Sequence, residues 1–321
     1  MSGLAQMCAS LREMGRSGPG MRIVVMNNPV SGRGRSGELA DLIGGALTAR
    51  GCDVERRPTP VRADDPDLIR ALGGADAAVV VGGDGAMRRV APALLATSVP
   101  VYNAPSGTEN LFARQFGMTA APRMVADAVA RKRTRRVDVG LCGGEVFLLM
   151  CSVGADAAIV HRLTRNRRGA ITHASYARHV VVEMARGRSP RLTIRAGGAA
   201  VVEDRPGAVI VANSRQYALR IDPAPDASME DGLLDLVFLP ASTSAGALLW
   251  GVASRVRLAQ SGLGRRMGVV RGRAESFEIT VNRGTGYCQL DGDAREAELS
   301  HDGDAVVVGC SAGRLVVLLP P

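Results

Sequence analysis

Ala77-Ala78-Val79-Val80-Val81-Gly82-Gly83-Asp84-Gly85 decides how the first half of the chain reads. Five small or β-branched apolar residues in a row make a strand buried on both faces, and the glycines close it in a turn. Ala86 to Ala96 then takes helical spacing. The same unit recurs on either side. Upstream, Arg22-Ile23-Val24-Val25-Met26 is an apolar strand closed by Asn27-Asn28-Pro29. Leu39, Leu42, Ile43, Ala46 and Leu47 follow at helical spacing, with Glu38 in the first turn. Cys52 to Arg57 alternates as a strand, and Val99 to Asn103 is another, followed by helices near Glu109 to Phe116 and Ala120 to Arg131. Strands alternating with helices imply a parallel, doubly wound α/β sheet.

That pattern stops at the basic run Arg131-Lys132-Arg133-Thr134-Arg135-Arg136. Beyond it the expected strands are Val137 to Leu141, Val146 to Val153, Leu192 to Ala196, Ala208 to Ala212, Leu233 to Leu239, Ser276 to Val281, Ala305 to Val308 and Leu315 to Leu319. Two helical stretches interrupt them, about Ala155 to Arg186 and Thr243 to Gln260. A mainly antiparallel β domain follows from this order.

Composition agrees with two domains. The chain has 321 residues, 46% of them hydrophobic and 22% charged, enough for two ordinary cores. Aromatics are 3%, which suits cores of Val, Leu, Ile and Ala and argues against nucleic acid held on stacked aromatic platforms. No helix-turn-helix, RNA-recognition or zinc-finger signature is present, so no nucleic-acid partner is expected. The formal charge is +9 and Lys132 is the only lysine, so the positive charge is almost all arginine, a forked donor suited to phosphate. Cys8, Cys52, Cys142, Cys151, Cys288 and Cys310 form no CxxC pair, and reduced, buried thiols in a cytoplasmic protein are expected. Residues 1–20 lack an apolar h-region and read as a flexible extension or an upstream start before Met21. The best candidate for a membrane span, Val137 to Val160, is interrupted by Asp138, Glu145 and Asp156. Any membrane contact is therefore expected to be peripheral, at the inner face.

Three glycine-rich turns follow strands of the first domain: Asn28-Pro29-Val30-Ser31-Gly32, Gly82-Gly83-Asp84-Gly85 and Pro105-Ser106-Gly107-Thr108-Glu109-Asn110. In a parallel sheet such turns line one crevice, and glycine with helix N-terminal N–H groups receives phosphate there. Taken singly, each is an ordinary strand-to-helix turn. A Walker A loop is excluded, because it needs Gly-Lys before Ser or Thr and Lys132 stands in the wrong context.

These motifs, with Phe112-Ala113-Arg114, Asp231-Gly232-Leu233-Leu234-Asp235-Leu236-Val237 and Gln289-Leu290-Asp291-Gly292-Asp293, resemble those of the diacylglycerol and sphingosine kinase-like lipid kinases, in the same order over about residues 21 to 319. The resemblance implies an N-terminal domain of the NAD kinase and phosphofructokinase architecture over 21–135 and a C-terminal β-sandwich over 136–310. Residues 311–321 would return as a strand to the first domain, with the active site in the cleft between the two. It implies ATP and Mg²⁺ as cofactors and a lipid alcohol as acceptor. Carried over by position, the nucleotide would contact Asn28, Pro29, Val30, Ser31, Gly32, Thr59, Gly83, Asp84, Gly85, Ala86, Arg88, Arg89, Gly107, Thr108 and Asn110. Asp293 would be the general base, and a structural magnesium would sit on Asp231 and the carbonyls of Ser228 and Leu233. The oligomeric state stays open, a homodimer included. Taken without the resemblance, Asp293 reads as a hairpin-turn aspartate and Asp231 as a turn before a strand.

The chain departs from the family pattern at Ala86, where threonine is usual, at Arg88 and Arg89, where an Asn-Glu pair is common, and at Leu111, often an acid. A NAD-kinase-like small-molecule kinase and a catalytically degenerate nucleotide- or lipid-binding module are the rival readings. His161, His173, His179 and His301 have no metal-ligand spacing and are expected at surface or hinge positions. The arginine-rich stretch Arg162 to Arg188 reads equally as a packed amphipathic helix and as a contact for anionic lipid.

Overall fold

The computed structural model describes residues 20–28, 35–60, 65–165, 187–254, 261–295, 299 and 303–321. They divide into two compact units: one holds the residues up to Arg135 together with Leu315–Pro321, and the other runs from Arg136 to Arg314.

In the first unit the chain runs β1 (Arg22–Asn27), α1 (Arg35–Thr48), β2 (Asp53–Pro58), α2 (Pro66–Leu72), β3 (Ala77–Gly82), α3 (Asp84–Thr97), β4 (Val101–Pro105), α4 (Leu111–Gln115) and α5 (Pro122–Arg131). The strands lie in the order β2, β1, β3, β4, all parallel, and Val317 near the end of the chain adds a parallel pairing to Val101 on β4. All six residues of β3 are buried, as a central strand covered on both faces requires. Helix α1 packs against α5, and α2 against α3. Asp65 caps α2 by accepting the N–H groups of Asp67 and Leu68, with Pro66 opening the helix. This is the doubly wound α/β domain expected from the alternating pattern.

The second unit is the β-sandwich. It contains β5 (Thr134–Cys142) from Arg136 on, β6 (Glu145–Phe147), β7 (Met150–Val153), α6 (Ala155–Arg165), β8 (Arg191–Ala196), β9 (Ala199–Ala212) and β10 (Leu234–Pro240). After these come α7 (Ser244–Ser254), α8 (Gly262–Arg266), β11 (Val270–Ala274), β12 (Ser276–Arg283), β13 (Cys288–Leu290), β14 (Asp293–Ala294) and β15 (Ala305–Leu318), whose residues from Leu315 on belong to the first unit. Strand β9 serves both layers: its first half pairs antiparallel with β8, its second half with β10 and β7. Phe147, Phe238, Phe277, Val209, Leu236 and Ile279 fill the space between, together with Cys142, Cys151 and Cys288. None of the cysteines of the described residues is in a disulfide.

Three expectations change. Val146 to Val153 is two strands, because Leu148 and Leu149 turn their N–H groups onto the Asp291 carboxylate and leave the ladder. The stretches expected at Ala305 to Val308 and Leu315 to Leu319 are one continuous strand, β15, which ends at Leu318. The small residues between them carry no apolar signal, yet their backbone still pairs, Gly309 opposite Ser276 and the Gly313 N–H on Asp138. His161 is buried at 6% exposure, its Nε2 2.8 Å from the Cys288 carbonyl oxygen, and not at a surface or hinge. Residues 1–19, 166–186 and 255–260, with His173, His179 and His301, lie outside the described residues.

Candidate active site

The turns after β1, β3 and β4 stand at the carboxyl ends of parallel strands in the first unit. Of the first turn, Asn28 is described, and its carbonyl accepts the Ser36 hydroxyl at 2.7 Å. Pro29, Val30, Ser31 and Gly32 lie outside the described residues. The second and third turns touch. A Cβ on Gly107 would lie 2.8 Å from the Gly83 Cα, and one on Gly83 would lie 3.1 Å from the Gly107 Cα. Both positions need glycine because another backbone occupies the space a side chain would take.

Two side chains expected at the nucleotide form hydrogen bonds to these turns. Asp84, at the start of α3, accepts the N–H of Phe112 at 2.9 Å and of Leu111 at 3.0 Å, which closes the amino end of α4. Burial raises its pKa, and those two N–H bonds pull it back only in part. Asn110, in the left-handed region at φ 51°, accepts the Gly107 N–H and donates to the Gly107 carbonyl, both at 2.8 Å. Leu111, where the family often has an acid, is buried. Ala86 is buried too, directly over Gly82. Gly85, Arg88 and Arg89 are half-buried, and Gly107 and Thr108 are exposed.

Two buried polar atoms on residues expected at the nucleotide have no partner among the described residues. Thr59 is buried beyond the end of β2, its N–H on the Asn27 carbonyl at 2.8 Å, and its Oγ1 makes no hydrogen bond. The Nε of Arg89 is likewise buried and unbonded. A buried donor left unmatched is costly, so such atoms mark places where a ligand supplies the missing partner.

In the second unit Asp293 opens β14 opposite Leu290 on β13. The two residues between, Asp291 and Gly292, have φ of 51° and 86°, the tight hairpin turn that Asp-Gly favours. Its support is elaborate. The Asp291 carboxylate accepts three successive N–H groups, Leu148 at 2.7, Leu149 at 2.8 and Met150 at 3.0 Å. The Gln289 Oε1 accepts the Gly292 N–H at 2.7 Å, while its Nε2 donates to Ser152 Oγ at 2.8 Å. Ser152 and Tyr217 both donate to Asp156 on α6. Asp293, half-buried, is thus presented from a turn that side chains lock on both sides.

Asp231 lies in the turn before β10. Its Oδ1 accepts the Leu233 N–H at 3.1 Å, and its Oδ2 pairs with Arg273, which also reaches Asp235 at 3.4 Å. Ser228 Oγ accepts the Glu230 N–H at 3.2 Å. The Asp235 Oδ2 is buried without a hydrogen-bond partner among the described residues, and burial raises that carboxyl's pKa. Oxygen donors on a turn, with an orphaned carboxylate oxygen beside them, fit a hard divalent cation such as Mg²⁺. Arg273 would share Asp231 with it.

Asn103, Asp138 and Gln289 were not singled out as site residues from the sequence. Asn103 Nδ2 donates to the carbonyls of Val80 and Gly82 at 3.0 and 3.1 Å and so holds the end of β3. Asp138 accepts the N–H groups of Gly232 at 2.8 Å and Gly313 at 2.6 Å. All three are polar residues inside apolar strands, which is the signal by which they were findable.

A family model described as the diacylglycerol kinase catalytic domain matches residues 22–142. A second, the YegS C-terminal NAD kinase beta sandwich-like domain, matches residues 150–296. A diacylglycerol kinase of Mycobacterium tuberculosis (strain H37Rv) is 30% identical over 224 residues, 67% of this chain and 72% of that protein. A Pseudomonas fluorescens (strain Pf-5) protein named "Probable lipid kinase YegS-like" is 28% identical over 284 residues, 86% of this chain and 88% of its own. A crystal structure of a diacylglycerol kinase from Bacillus anthracis str. Sterne superimposes with a TM-score of 0.66 over 94% of this chain and 97% of that one, at 17% identity, a likeness of fold.

Proposed function

The chain belongs to the diacylglycerol kinase and YegS-like lipid kinase family, and from that premise we propose that it transfers the γ-phosphoryl group of ATP to a hydroxyl of a lipid acceptor. The observation that carries the nucleotide half of this reading is the pair of unmatched buried atoms, Thr59 Oγ1 and Arg89 Nε, among the residues expected at the phosphates. Phosphoryl transfer needs position and charge neutralisation more than covalent help, so glycine turns, arginines and one carboxylate suffice.

The roles divide as follows. Gly83 and Gly85 bring backbone N–H groups and Thr108 a hydroxyl to the phosphates, Gly107 leaves room for their approach, and Asn28 to Gly32, Thr59, Ala86, Arg88 and Arg89 lie around them. Asp84 and Asn110 hold the two touching turns in shape. Asp293 takes the proton of the acceptor hydroxyl as its oxygen bonds to the γ-phosphorus. The bond from that phosphorus to the bridging oxygen breaks, and ADP leaves with the electron pair. Mg²⁺ held by Asp231 and the carbonyls of Ser228 and Leu233 would neutralise and brace that turn.

Incubating the purified chain with γ-labelled ATP and a panel of lipid alcohols (diacylglycerol, sphingoid base, ceramide, polyprenol) tests the reading. Label in one lipid supports it. ATP binding without label in any lipid would favour the nucleotide-binding module, and label in NAD or another soluble acceptor the small-molecule kinase.

A further inference from the structure

Helix α7, Ser244-Ala245-Gly246-Ala247-Leu248-Leu249-Trp250-Gly251-Val252-Ala253-Ser254, has no charged residue. One face packs inward through Ser244, Ala247 and Ser254, with Ala247 against Ala155 and Ala208. The other exposes Leu249 at 61% and Val252 at 63%. A surface helix of a globular protein ordinarily turns polar residues outward. In α8, Ser261 caps the helix, and Leu263 with Met267 one turn on are 52% and 56% exposed, flanked by exposed Arg265 and Arg266. These four are among six large apolar side chains exposed in the described residues, so exposed apolar surface concentrates here.

Both helices are tied to the same end of β10. Trp250 Nε1 donates to the Pro240 carbonyl at 3.1 Å, and a Cβ on Gly268, just past α8, would lie 3.6 Å from the Pro240 Cγ. The stretch of sequence that carries them has charge of one sign. From Ala241 to Ala274 the sequence holds no acid and six arginines, Arg265 and Arg266 among them.

We infer that the exposed face of α7 and α8, with Leu249, Val252, Leu263 and Met267 as apolar anchors and Arg265 and Arg266 as headgroup contacts, docks on a bilayer containing anionic phospholipid. Apolar anchors with two exposed arginines beside them complement a surface that is apolar below and anionic above. A second copy of the chain fits worse, because self-pairing would set Arg265 and Arg266 against their own kind. The half-buried Trp250 beside Leu249 has the amphipathic ring that suits the interfacial layer. This deepens the lipid-acceptor reading, since an enzyme acting on a bilayer lipid must reach it, but its test needs no turnover.

Trp250 is the only tryptophan, so its emission reports the patch. Titration with phosphatidylglycerol/phosphatidylcholine vesicles should shift the emission to the blue and co-sediment the protein, with weaker binding in high salt and to pure phosphatidylcholine. Leu249→Asp with Leu263→Asp should weaken vesicle binding at least about tenfold, with an unchanged circular dichroism spectrum and melting temperature. Arg265→Ser with Arg266→Ser should remove the preference for anionic vesicles. Wild type that fails to sediment with the anionic vesicles overturns the inference, as does an Asp variant that folds and binds like wild type. A dimer seen by light scattering and dissolved by the Asp substitutions would assign the face to a second copy. Vesicle binding without phosphorylation of any lipid would count against the kinase reading alone. Phosphorylation of a monomeric short-chain acceptor with no vesicle binding would count against the docking face alone.

Discussion

The Asp84 carboxylate accepts the backbone N–H of Phe112 at 2.9 Å, so the first residue of one glycine turn's helix closes the start of the next. Burial holds the Asp84 pKa above its ordinary value of 3.8. A raised folded-state pKa gives stability that is complete below the unfolded value and lost as pH rises through the folded one. Asparagine does not titrate. The stability difference between wild type and Asp84→Asn should therefore move toward wild type as pH falls from about 7 to about 4, read by urea unfolding at each pH. A difference that stays flat would mean the folded carboxyl is not raised.

Thr59→Val should act in opposite directions on stability and on nucleotide binding. It removes a buried hydroxyl that has no partner, at nearly constant volume, and should leave the unliganded protein as stable or more stable by about 1 kcal/mol. It should weaken ATP binding roughly tenfold, because a bond to a charged group is worth about 1.5–3 kcal/mol. Melting curves with and without ATP give both quantities at once. ATP stabilisation identical to wild type would remove Thr59 from the nucleotide.

Asp293 and Asp291 stand two residues apart and should fail differently. Asp293→Asn keeps the shape of the hairpin and should lower turnover by roughly 10² or more, with ATP affinity and melting temperature held. Asp291→Ala leaves the N–H groups of Leu148, Leu149 and Met150 without their acceptor and should cost about 2–4 kcal/mol of stability. Near-normal turnover in a folded Asp293→Asn protein would dismiss it as the base.

Arg273 and a divalent cation contend for the same carboxylates. Removing the guanidinium in Arg273→Gln should leave Asp231 and Asp235 more dependent on an ion. The variant should melt lower than wild type in EDTA and gain more from millimolar Mg²⁺. Equal Mg²⁺ response in the two proteins would place the ion elsewhere.

Much of this protein was open to reading along the chain. The run Ala77 to Val81 and its flanking glycines announce a buried parallel strand, because a strand covered on both faces must be apolar throughout. The Asp-Gly pair at Asp291 announces a tight turn, because few other pairs tolerate two positive φ angles. These are local properties, and residues within a few positions of one another decide them. Which atoms are left over is not local. That Gly107 must be glycine because Gly83 lies against it, and that Asp84 serves Phe112, emerge only when separate turns meet. The same holds for the three N–H groups gathered by Asp291, 141 to 143 residues away. The unmatched hydroxyl of Thr59 and the bare apolar face of α7 belong to that class too. A hydrogen-bond partner or a covering surface is supplied by residues distant in sequence, so its absence is a property of the packed molecule and has no signature in the order of residues.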